Sequence, residues 1–246
     1  MSEPEVLFER RGPLGLITLN RPKALNALTL GMVRAMTPEL KAWAQDVHVK
    51  AVVVRAAGDR AFCAGGDIRA LYDAGKAGNS YASDFWAEEY RLDTLIKEYP
   101  KPYIALMQGI VMGGGVGVSV NGSHRVACES TTFAMPETGI GLFPDVGGTY
   151  FLPRLPGRVG LYLALTGARL KAADLRHLGL ATHVAPYADF DAIVAAMAAA
   201  RDPLAALLPY GEPVTDAPIA GLTHAIDAHF GGESVEAVLA SLDADR

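Results

Sequence analysis

Two apolar runs, from Val6 to Phe8 and from Leu14 to Leu19, flank Gly12-Pro13 and read as a β-hairpin spanning Val6 to Asn20. From Thr29 to Asp46 the positions Met32, Met36, Leu40 and Trp43 recur at helical spacing, and Pro38 must kink that helix or mark its true start. Ala51 to Arg55 and Pro102 to Met107 are short apolar runs of the kind buried strands show, and Asp67–Ala74 and Tyr81–Glu98 read as helices. A helical stretch follows the second strand to about Asn121, and Arg125–Cys128 and Thr132–Met135 read as short strands. Strands therefore alternate with helices, which predicts an α/β fold. From Asp174 onward strands nearly vanish. Asp189–Arg201 and Ser234–Leu242 read as Ala-rich helices around a Pro-containing segment, so a boundary is expected near residue 186, with an α/β core over 1–186 and a helical region over 187–246.

Composition narrows the classes. The 246 residues are half apolar and one fifth charged, with a net charge of −5 and no basic stripe, so no nucleic-acid partner is expected. No run is apolar for long enough to span a bilayer, and no membrane partner is expected. Two cysteines, Cys63 and Cys128, cannot build a disulfide framework, and neither they nor the six histidines show metal-ligand spacing. An acidic, polar start gives no sign of a signal or transit peptide, and the expected compartment is the reducing cytoplasm.

Glycine is where the chemistry starts. It clusters at Gly65-Gly66, at Gly113-Gly114-Gly115 and between Gly139 and Gly148, each time among hydrophobic residues, which marks backbone that must approach something closely. The spacing fits neither a dinucleotide fingerprint, since Val118 stands in the third position after Gly113 and Gly115, nor a nucleophile elbow, since Asn121 replaces glycine after Ser119. Both of the first two clusters open a predicted helix after a strand. Bare amides there can meet a developing oxyanion, although glycine-mediated helix packing explains such a run equally well. Glu137 and Asp145 lie eight residues apart in apolar, glycine-rich sequence, where a carboxylate is costly unless it has work to do. Asp145, after Pro144, can also be read as a turn former; Glu137 has less structural reason to be there.

Three segments carry a resemblance: Ala61-Phe-Cys-Ala-Gly-Gly-Asp-Ile68, Gly109-Ile-Val-Met-Gly-Gly-Gly115 and Met135-Pro-Glu-Thr138 resemble the crotonase (enoyl-CoA hydratase/isomerase) superfamily. The run from Met135 to Gly148, with Phe85-Trp-Ala-Glu-Glu-Tyr90, is similar to its 3-hydroxyisobutyryl-CoA hydrolase branch. The resemblance implies a crotonase-like spiral of β-β-α turns with a C-terminal helical region. It implies an acyl-CoA thioester as substrate, CoA arriving with it rather than as a cofactor, no metal, and self-association left open. By the same resemblance the amides of Gly66 and Gly114 form the oxyanion hole, Glu137 and Asp145 are catalytic, and Glu89 contacts substrate, although the sequence cannot say whether Glu88 or Glu89 faces inward. Lys23, Ala24, Leu25, Ala64, Asp67, Ile68 and Arg69 would lie along CoA, largely through backbone. One departure bears on the reaction: hydratases carry a first glutamate where this chain has Gly117. Thioester hydrolysis of valine-degradation type is therefore the leading expectation, with hydration or isomerisation, a non-catalytic acyl-CoA-binding scaffold and glycine-rich structural packing as alternatives. The resembling hydrolases also continue past Leu242 into a further helical region.

Overall fold

A computed structural model describes residues 3–245. The hairpin forms as β1 (Val6–Arg11) and β2 (Leu14–Leu19), antiparallel with Val6 opposite Leu19, closed by Gly12 in the left-handed region. Helix α1 (Leu30–Gln45) starts where Thr29 accepts a hydrogen bond from the Met32 amide, so Pro38 lies inside it and is not its start. The chain then repeats one theme. A strand of the large sheet is followed by a three-residue strand of a small sheet: β3 (Ala51–Ala56) by β4 (Ala61–Cys63). After α2 (Ile68–Ala77) and α3 (Tyr81–Lys97), β5 (Tyr103–Met107) is followed by β6 (Ile110–Met112). After α4 (Gly114–Val120), β7 (His124–Ala127) is followed by β8 (Thr132–Ala134).

The remainder is mostly helical: α5 (Gly148–Phe151), α6 (Val159–Thr166) and α7 (Ala172–His177), then β9 (His183–Val184), α8 (Phe190–Ala199), α9 (Pro218–His229) and α10 (Val235–Ala244). The large sheet runs β1-β2-β3-β5-β7-β9 and is parallel apart from the hairpin, whereas the small sheet runs β4-β6-β8 and is parallel throughout.

Both faces of the large sheet are covered, as an all-parallel arrangement requires. Ile17, Leu19, Val52, Val54, Ala105 and Met107 join the core shared with α1 and α3. Leu14, Leu16, Val53, Ile104, Leu106 and Val126 pack on the other side against Phe190, Ile193, Val194 and Met197 of α8. The small sheet contributes Phe62, Cys63, Val111 and Phe133 to the first core, and its three strands end side by side, Met112 pairing with Ala134 and Cys63 with Val111. That common carboxyl-terminal edge is where open α/β sheets place ligands.

Seven helices and strands of the described residues escape the sequence pattern, α5 and α9 among them. β4 and β6 are three residues long and β9 two, too short for any period to show. α6 is apolar nearly all round and α7 has only six residues. The Ala-rich helices expected at 189–201 and 234–242 form as α8 and α10, and α9 follows the Pro-containing segment between them, starting at Pro218 where a missing N–H costs nothing.

Candidate active site

Each strand of the small sheet hands over to a functional segment. After β4, Gly65 adopts φ +119°, a backbone that side-chain-bearing residues rarely hold. Leu28 N–H donates to the Gly65 carbonyl and Asp67 N–H donates to the Leu28 carbonyl, which turns the Gly66 N–H away from residue 28. After β6, Gly113 takes φ +49° and α4 begins at Gly114, whose amide is one of those a helix start leaves without an intrahelical acceptor. The two meet: a Cβ built on Gly114 would lie 3.4 Å from the Gly66 nitrogen. That same Cβ would stand 2.5 Å from Glu89 Oε1 and 3.0 Å from Leu28, so only glycine fits. After β8, Pro136 leads into a 3-10 turn over Glu137–Ile140 that carries the first acid.

These segments enclose a cavity of about 330 Å3. Gly66, Gly114, Glu137, Asp145, Glu89, Ala64 and Ile68 all line it, with Leu71, Phe85, Trp86, Met112 and Leu142 as apolar walls. Glu137 is 6% exposed, its Oε2 has no hydrogen-bond partner among the described residues, and its Oε1 lies 3.2 Å from where a Cβ on Gly113 would be. Burial, with a smaller push from Asp145, raises its carboxyl to about 7. Glu89 is still more deeply buried, its Oε1 is likewise without a partner among the described residues, and burial followed by Asp145 raises it to about 8. Its neighbour Glu88 is drawn outward into a forked ion pair with Arg34 at 2.6 Å, which settles which of the two faces the cavity.

Asp145 is half-buried, and its Oδ2 accepts a hydrogen bond from Tyr90 Oη at 2.8 Å. Burial raises its carboxyl while the Tyr90 bond works the other way. The next residue, Val146, has φ +41°, a conformation a β-branched residue adopts only under compulsion, at a cost of about 1–3 kcal/mol. Cys63 is no rival nucleophile: burial pushes its thiol up to about 12.

The remaining sequence-derived positions lie at the rim. Lys23 and Ala24 sit exposed on a 3-10 turn, and the Leu25 carbonyl accepts from the Ala64 amide, which ties that turn to the cavity mouth. Asp67 caps α2 through the Ala70 amide and pairs with Arg21 at 2.9 Å, so its carboxylate is committed to the scaffold; Arg69 is exposed. Lys23, Ala24, Leu25, Asp67 and Arg69 do not line the cavity. Sequence reasoning missed Tyr90 and Asp93. Asp93 is one turn beyond Glu89 on α3, buried, with neither oxygen partnered among the described residues, and the i, i+4 spacing of the two acids was the available signal.

A family model described as enoyl-CoA hydratase/isomerase matches residues 14–246. The chain belongs to that family. A 3-hydroxyisobutyryl-CoA hydrolase of Danio rerio, named as mitochondrial, is 63% identical over 179 residues, covering 73% of this chain and 47% of that protein. One of Xenopus tropicalis, named likewise, is 61% identical over 74% of this chain and 48% of its own length. The chain thus spans about half the length of the curated relatives it matches. Among solved structures, a protein described as a carnitinyl-CoA dehydratase from Mycobacterium thermoresistibile superposes with a TM-score of 0.94 at 46% identity, over 98% of this chain and 71% of that one.

The enoyl-CoA hydratase/isomerase family confirms the crotonase-like α/β fold and fits an acyl-CoA substrate. The cytoplasmic expectation is overturned: the relatives are named as mitochondrial proteins. Cys63 and Cys128 are both buried and free, and such thiols cannot tell one compartment from another. Among the described residues no helix is long and apolar enough to cross a membrane, and no cluster of His, Cys, Asp and Glu could hold a metal ion.

Proposed function

We propose that the chain hydrolyses a short 3-hydroxyacyl-CoA thioester, 3-hydroxyisobutyryl-CoA above all, to the free acid and CoA, a step of valine-degradation type. The observation that carries this is a buried Glu137, its Oε2 without a partner among the described residues, lining the same cavity as Gly66 and Gly114, whose backbones approach each other closely. Two N–H donors aimed at one point stabilise the oxyanion that forms when a thioester carbonyl is attacked, each worth about 3–4 kcal/mol. Glu137 serves either as nucleophile, through a mixed anhydride, or as general base on water. A carboxyl poised at about 7 suits the second role, since near neutral pH it is partly ionised and can still hold the proton it takes.

Asp145 orients the water or the substrate's 3-hydroxyl, with Tyr90 fixing its own position. Glu89, pushed up to about 8, is protonated at neutral pH and offers a hydrogen-bond donor to substrate. CoA lies across the rim formed by Lys23-Ala24-Leu25, Ala64 and Asp67-Ile68-Arg69, met mostly by backbone. The names of the hydrolase relatives support the substrate class.

A second reading, hydration of an enoyl-CoA or its reverse, is favoured by the name of the dehydratase neighbour. Against it, a Cβ at Gly117 would stand 2.7 Å from Asp93 Oδ1, so no catalytic side chain can be carried there. A thiol-release assay over a panel of short acyl-CoAs separates the two. Hydrolysis releases thiol from 3-hydroxyisobutyryl-CoA; loss of crotonyl-CoA absorbance with no thiol would establish the rival.

A further inference from the structure

Behind Asp145 lies a second cavity, of about 450 Å3, lined by Tyr90, Asp93, Thr94, Lys97, Asn121 and Thr149 among others. Among the described residues, Asp145 alone lines both this cavity and the acyl pocket. Its Oδ2 holds the Tyr90 hydroxyl, and Tyr90, Thr94, Lys97 and Thr149 are exposed, so the second cavity opens to solvent. Inward from that opening is Asp93, 6% exposed, both oxygens without a partner among the described residues. An unpartnered buried carboxyl costs several kcal/mol unless water reaches it or it carries a proton to exchange. Across the helix interface Gly117 approaches it closely and, having no side chain, offers it no donor.

We propose that Asp93 and this rear cavity form an outlet for the proton that hydrolysis releases. The inference rests on the hydrolase reading. Hydrolysis breaks the C–S bond and forms a C–O bond. Of the two protons of water, one ends on sulfur as the CoA thiol, and the other must leave because the acid product is ionised at neutral pH. The acyl pocket is walled by Ile68, Leu71, Phe85 and Trp86, and a thioester bound there would occupy its mouth and leave the rear cavity as the aqueous path for that proton. Asp145 is in contact with both sides, and Asp93, at the buried end of the rear cavity, is a positioning residue for the water that carries the proton away.

The test is thiol release from saturating 3-hydroxyisobutyryl-CoA at rising imidazole concentration. In low buffer, Asp93→Asn should lower kcat about tenfold with KM nearly unchanged. Imidazole should restore the rate, and the solvent deuterium isotope effect should exceed that of the native protein. A merely structural role would leave the slowed rate indifferent to imidazole, and that result, or an unslowed Asp93→Asn, overturns the outlet. Should Asp93→Asn fail to fold by circular dichroism, Thr149→Trp plugs the cavity from its exposed rim with every acid in place. Imidazole-responsive slowing then supports the proposal, and an unchanged or imidazole-indifferent rate overturns it. The native protein is assayed first: if it releases no thiol, the hydrolase reading falls and takes the outlet with it, whereas native turnover with a negative variant removes the outlet alone.

Discussion

The two parallel sheets are built for different ends. In the large one, whose strands have four to six residues apart from the two-residue β9, Leu, Ile and Val fill both faces, and the polar backbone is consumed by ladder hydrogen bonds. In the small one, three-residue strands stop as soon as they have aligned their ends, and they give way to glycine, proline and acid. Of six buried side-chain polar atoms without a partner among the described residues, four belong to Glu89, Asp93 and Glu137, all beside that short edge. The positive φ of Val146 is there as well. One sheet holds the molecule together and the other spends stability on groups kept unsatisfied until substrate arrives.

The largest effect that would break this contrast is at Glu137. Replacement by Gln keeps the shape and removes the ability to attack or to accept a proton, so kcat for thiol release should fall about a thousandfold. The melting temperature should hold or rise, since a buried, unpartnered carboxyl is lost. Full activity in Glu137→Gln would end the assignment.

The counterpart lies in the large sheet. Leu16 is 1% exposed between β1 and β3 and under α8, and Leu16→Ala should cost about 2–5 kcal/mol in denaturant unfolding through the cavity it leaves. The folded fraction should keep its kcat and KM. Substantial loss of turnover per folded molecule would mean the two sheets are less separable than their packing indicates.

Legibility followed the same division. The strands of the large sheet and the helices α1, α3 and α8 could be read from their periods because burial on a regular surface leaves a regular trace. Gly66, Gly114 and Glu137 could be read for the opposite reason, since they break the local rule: glycine among hydrophobes and an acid among glycines. What could not be read were residues that obey a local rule while doing something else. Asp93 sits between Leu92 and Thr94, near Arg91, and looks like the polar face of a surface helix; only the close approach of Gly117 shows that this face is buried. Tyr90 reads as one more aromatic until its hydroxyl is seen on Asp145. Glu88 and Glu89 could not be told apart without knowing that Arg34 waits on the outer side.

The acids at the short edge also set how stability responds to pH. Glu89 moves from an ordinary 4.5 up to about 8 and Glu137 up to about 7, and Asp93 and Asp145 move in the same direction, all chiefly through burial. A raised carboxyl binds its proton more tightly folded than unfolded. Its contribution is complete below pH 4.5 and is lost as pH climbs through the folded value. The melting temperature should therefore decline between about pH 5 and about pH 8, and Glu89→Gln should flatten the upper part of that decline and raise the melting temperature at about pH 9. A pH-independent melting curve over this range would show that the cavity is wetter than its geometry indicates.

The smallest effect is the sharpest control, because it concerns the residue next door. Glu88 is adjacent to Glu89 on α3, yet it is solvent-facing and paired with Arg34, which lowers its carboxyl below the usual range. The sign is therefore reversed: its contribution is present above its ordinary value of 4.5 and lost only as pH falls through the lower folded value. Glu88→Gln should leave thiol release unchanged and shift the melting temperature only slightly at neutral pH, and less still in high salt, as exposed ion pairs do. One residue along, Glu89→Gln should change both KM and the alkaline stability. Were the two variants to behave alike, the inward turn of α3 that separates an acid of the site from an acid of the surface would not exist in solution.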